Sequence, residues 1–233
     1  MKIFGPERLR DQGLVPDQEE SGNRAILALL SDPEVADQMD LVATYRRGEG
    51  EDEGGEAGAY EVWAARGMVR FRRLLRDDGS LDYEVVEQIG ENPIGNQDPH
   101  ALRTLAEEKE AARLSGFDPG DSTRRFIAPE QQSYPFAYER LAQLFDSPNA
   151  PDLVITPRDW CQGIQYGTHG GLLVRQSRGP LWFSGPGVRP GRFELVARAV
   201  DISPTCLAAL GFPLIDGADA TGRTASERGV APD

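Results

Sequence analysis

The chain has 233 residues, of which 39% are apolar and 27% charged, and its formal net charge is −13. That length suits one large domain or two small ones. The acidic balance works against binding nucleic-acid phosphates or anionic lipid, because like charges repel, and no apolar run is long enough to cross a bilayer.

The opening residues 1–8 lack the apolar stretch of a secretory leader, so a cytoplasmic location is expected. Residues 1–23 read as polar loop. Ala25-Ile26-Leu27-Ala28-Leu29-Leu30 predicts a short helix that stops near Ser31-Asp32-Pro33. Leu41-Val42-Ala43-Thr44-Tyr45 predicts a strand from its β-branched and aromatic content. The segment from Gly48 to Gly58 carries the acidic run Glu49-Gly50-Glu51-Asp52-Glu53. Like charges mixed with glycine bury nothing, so a solvated hairpin loop is expected there rather than a metal site.

Tyr60-Glu61-Val62-Trp63-Ala64 alternates apolar and polar, the pattern of a half-buried strand. Met68–Leu74 continues the meander, Asp77-Asp78-Gly79-Ser80 is a turn, and Leu81–Val86 returns as another strand. Residues 41–87 therefore predict a small antiparallel sheet. Arg70, Arg72 and Arg73 on it are expected to form cross-strand ion pairs rather than to bind an anion.

A helix is expected over 100–114, with His100 at its start as a surface or capping residue. Tyr138, Leu141, Leu144 and Phe145 fall at helical spacing and predict an amphipathic helix over 134–146. Leu153-Val154-Ile155-Thr156 suits a strand buried on both faces. Leu181-Trp182-Phe183 predicts a second short core strand. Ser203 as N-cap, Pro204 in the first turn, Gly211 at the end and Pro213 just beyond delimit a final helix. Cys206 within it is expected to be a buried thiol. The tail from Gly217 reads as disordered at its end.

The chemistry-bearing feature is Gly167-Thr168-His169-Gly170-Gly171, which puts one of the two histidines on a glycine-flanked loop. A neutral imidazole is a good ligand for zinc or iron, and flanking glycines let the backbone come close to a metal or phosphate. A histidine after a strand is also commonly a hydrogen-bonded structural residue, so spacing alone does not assign it. Cys161 could act as a nucleophile with His169 as its base, although packing beside Trp160 is the simpler role.

Three strings follow one another: the histidine loop, then Pro180-Leu181-Trp182-Phe183-Ser184-Gly185-Pro186-Gly187-Val188, then Arg198-Ala199-Val200-Asp201-Ile202-Ser203-Pro204-Thr205 with Ala209-Leu210-Gly211. In that order they resemble the C-terminal part of the alkaline phosphatase superfamily, in particular its type I phosphodiesterase/nucleotide pyrophosphatase branch. The resemblance covers about residues 135–215 and is weaker over 24–97.

It implies an α/β fold, the C-terminal part of an alkaline-phosphatase-like sandwich with a small inserted antiparallel sheet. The implied divisions are a β-rich segment over 1–97, a helical connection over 98–149, a C-terminal α/β part over 150–216 and a flexible tail over 217–233. Such enzymes cleave phosphate esters with two closely spaced divalent metals, commonly zinc, and His169 matches a ligand of one of them. The superfamily's nucleophile and its Asp-His-Gly ligand string have no counterpart here. The resemblance therefore implies the back half of a phosphoester hydrolase, inactive alone, with a missing N-terminal half or a second copy as partner. The competing expectation is a non-catalytic binding or interaction module.

Overall fold

The computed structural model describes residues 2–4, 25–26, 28–36, 38–49, 57–77, 79–102, 104, 106–107, 109–110, 132–147, 149–158, 171–192 and 196–212. They fall into two compact units. The first comprises Met1–Leu74 with Tyr83–Ser177, and the second Leu75–Asp82 with Arg178–Asp233.

A six-stranded sheet, which the first unit holds apart from the last residue of β4 and the first two of β5, consists of β1 (Lys2–Phe4), β2 (Met39–Arg46), β3 (Ala59–Ala64), β4 (Gly67–Leu75), β5 (Leu81–Gly90) and β6 (Leu153–Pro157), in the spatial order β1-β6-β2-β3-β4-β5. The pairs β1–β6, β2–β6, β2–β3 and β3–β4 are all antiparallel. The meander expected over 41–87 is present. The β2–β3 register sets Tyr45 opposite Tyr60 and Val42 opposite Trp63, and the β3–β4 register sets Val62 opposite Val69. The helices are α1 (Pro33–Ala36), α2 (Ala137–Phe145), α3 (Val174–Ser177) and α4 (Ile202–Ala209). The chain is thus mixed α and β.

Side chains alternate along each strand, and both faces are covered at β2, β3 and β6. On one face Leu41, Ala43, Tyr60, Val62, Val69, Phe71 and Val154 pack against Ala137, Leu141 and Ala142 of α2. The expected amphipathic helix is α2, with Tyr138, Leu144 and Phe145 lying partly buried against that core. On the other face Met39, Val42, Leu153 and Ile155 pack with Ile26, Leu29 and Leu30 of the expected short helix and with Val35 of α1. β6 therefore sends Val154 to one core and Leu153 and Ile155 to the other, which is why its sequence is apolar without alternation. Gly90, with φ 67°, ends β5, and a Cβ there would lie 2.8 Å from the carbonyl oxygen of Arg66. A side chain would be strained by the φ and blocked by that carbonyl.

Several expectations need correction. Lys2–Phe4, read as polar loop, is a strand paired with β6. Such a three-residue strand is specified by the neighbour that completes its hydrogen bonds, which no local pattern reveals. The strand read as half-buried over Tyr60–Ala64 is buried at its polar position too, because Glu61 is fully buried. Leu181-Trp182-Phe183 forms no strand. Trp182 is 85% exposed, and residues 181–183 pair with no strand among the described residues. The last helix begins at Ile202 rather than after Ser203. A 3₁₀ turn (Ala199–Asp201) precedes it, and Asp201 takes the N-cap position. The Asp201 carboxylate accepts the N–H of Arg198 at 2.7 Å, and Thr205 Oγ1 donates to the Asp201 carbonyl. Gly211, with φ 74°, ends the helix as expected. Cys206 is exposed rather than buried. Of the helix expected over 100–114, residues 106–107 and 109–110 are helical, whereas residues 100–102 form a turn. The acidic run from Gly50 onward and the tail from Gly217 lie outside the described residues.

Candidate functional site

The histidine loop sets the question, and residues 159–170, including Cys161 and His169, lie outside the described residues. What the structure describes is the frame on either side of them.

On the upstream side the chain leaves β6 through Arg158. Its N–H donates to the Gln38 carbonyl at 2.9 Å and its Nε donates to the Met39 carbonyl at 2.8 Å, fastening the exit of β6 to the start of β2. On the downstream side the chain returns at Gly171, which is buried along with Leu172, Leu173 and Val174. Arg140 of α2 fastens this return. Its guanidinium donates to the carbonyls of Gly171 at 2.8 Å and Leu172 at 3.1 Å, and to Ser177 Oγ at 2.8 Å. Burial pushes the Arg140 guanidinium below its ordinary value, yet an arginine stays charged, so four neutral oxygens, the Pro135 carbonyl at 3.4 Å among them, solvate a half-buried cation. The Val174 N–H donates to the Ser133 carbonyl at 2.8 Å.

These two anchorages are linked by a buried polar group. Asp40 follows Met39, and Tyr134 follows Ser133. Tyr134 donates its hydroxyl to Asp40 Oδ1 at 2.8 Å and accepts from Arg66 Nη2 at 2.8 Å. Arg66 also donates to the Pro93 carbonyl and stacks over the Tyr134 ring at 5.7 Å. Burial, and then the charge of Asp40, push the Tyr134 phenol far above its ordinary value, so it remains a neutral donor.

A second polar cluster lies within the sheet. Glu61 on β3 accepts from Arg46 Nε at 3.1 Å, from Trp63 Nε1 at 3.1 Å, and from Arg70 Nε and Nη2 at 2.9 and 2.7 Å. Burial alone would raise its carboxyl, but Arg46, Arg70 and Trp63 outweigh that and hold it below its ordinary 4.5. Arg70 continues to Glu87 on β5 at 2.6 Å, and Arg73 pairs with Asp146 just beyond α2. The cross-strand ion pairing expected of Arg70 is present, whereas the partner of Arg73 lies beyond α2 and not on a neighbouring strand. These groups satisfy one another, which is the arrangement of a structural brace rather than a reactive centre.

Among the described residues no group of three or more His, Cys, Asp or Glu side chains could hold a metal ion. His100 is exposed, with its backbone N–H on Asp98 Oδ1. The described residues therefore do not make the metal pair that the superfamily resemblance implies. Sequence reading missed Arg140, Tyr134, Asp40 and Glu61. The one available signal was Glu61 between two apolar residues, with Arg46 and Arg70 on the neighbouring strands. Comparison with protein-family models, with curated proteins and with solved structures finds no match. No helix among the described residues is long and apolar enough to cross a membrane.

Proposed function

We propose that this chain is the C-terminal portion of a phosphoester hydrolase of the type I phosphodiesterase/nucleotide pyrophosphatase kind. In this reading His169 supplies one ligand to a divalent metal, zinc being the expected ion, and the nucleophile and other ligands come from polypeptide beyond the described residues. The chain alone turns over no substrate. No described residue is assigned a catalytic step.

The observation that supports the reading is the anchorage of the described chain on either side of residues 159–170. One end is fixed on the start of β2 by Arg158 and the other on α2 by Arg140, with the Asp40–Tyr134 hydrogen bond between the two supports. A ligand loop needs such rigid supports, because binding energy is lost whenever the ligand must first be ordered.

The test compares two proteins, this chain alone and the same chain extended along any open reading frame upstream of Met1. Hydrolysis of bis(p-nitrophenyl) phosphate is measured with added zinc or manganese. The short chain is expected to be inactive. The extended protein is expected to be active and to lose that activity in His169→Ala. Full activity in that variant would remove His169 from the mechanism, and an upstream frame with no Thr or Ser nucleophile and no Asp-His-Gly string would refute the reading.

A non-catalytic interaction module is the second reading. It is favoured by the exposed apolar side chains of the second unit, where Trp182, Leu210 and Phe212 are 85%, 70% and 60% exposed. Its mark would be a stable partner complex that survives His169→Ala unchanged.

A further inference from the structure

We draw no further inference here: the strongest candidate, the exposed apolar surface of the second unit at Trp182, Leu210 and Phe212, carries nothing because nothing in the structure shows what covers it.

Discussion

Replacing Glu61 by Gln tests whether the sheet is braced by a buried charge. The side chain keeps its length, so packing in β3 is preserved. Its oxygen can still accept from Arg70, but its amide NH2 then faces Arg46 Nε and Trp63 Nε1, two donors that both approached Oε2 at 3.1 Å. A buried donor left without an acceptor costs about 1–3 kcal/mol, and breaking a buried ion pair by removing one partner costs about 3–5 kcal/mol. The Arg46 and Arg70 side chains are 16% and 27% exposed and keep part of their hydration, which places the expected loss near the lower end, about 3 kcal/mol. For a cooperative unit of this size that is a fall in Tm of about 6–12 °C. Glu87→Gln provides the control. It removes the other carboxylate on Arg70, but Glu87 is 42% exposed, so the cost should stay below about 1 kcal/mol. Urea unfolding followed by circular dichroism measures both. Equal midpoint shifts for the two variants would refute the reasoning, since the argument rests on burial and not on the number of pairs. The same carboxylate predicts a pH effect. Its folded value lies below the ordinary 4.5, so its contribution is complete above that pH and is lost as pH falls through the folded value. Glu61→Gln should flatten that part of the stability profile on the acid side.

Tyr134→Phe keeps the ring but leaves Asp40 without its phenolic donor, and should cost about 1–3 kcal/mol in the same urea assay. Arg140→Leu strips the Gly171 and Leu172 carbonyls of their cationic donor, and hydrogen exchange should show faster opening of residues 171–177, whereas Arg140→Lys, a single-point donor, should restore part of the protection. Burial, with the nearby charge of Glu139, raises the Tyr83 phenol to about 12, so its ionisation should be missing from a spectrophotometric titration up to about pH 11. The stabilisation tied to keeping Tyr83 neutral is complete below the ordinary 10.0 and is lost as pH rises through about 12, and Tyr83→Phe should remove that alkaline decline.

Local pattern determined much of this chain. The β-branched and alternating runs of β2, β3 and β4, the turn after Asp77, the helical spacing of Tyr138, Leu141, Leu144 and Phe145, and the glycine stop at Gly211 each depend on interactions within a few residues of one another, and each is present. The uninterrupted apolar run of β6 likewise announced burial on two faces. Tertiary structure alone decided the rest. Lys2–Phe4 becomes a strand because β6 offers it hydrogen bonds from some 150 residues away. Glu61 is buried because Arg46 and Arg70 arrive from flanking strands to neutralise it. The frame of the histidine loop depends on Arg140, Tyr134 and Asp40, which are ordinary residues in their own segments and acquire a role only when α2 and β2 come together. Leu181-Trp182-Phe183 shows the converse. Its strand propensity is real, but a strand forms only where a neighbouring backbone completes its ladder, and residues 181–183 have no such pairing among the described residues. Propensity acts over short distances along the chain, whereas charge neutralisation and ladder pairing are properties of groups brought together by the fold.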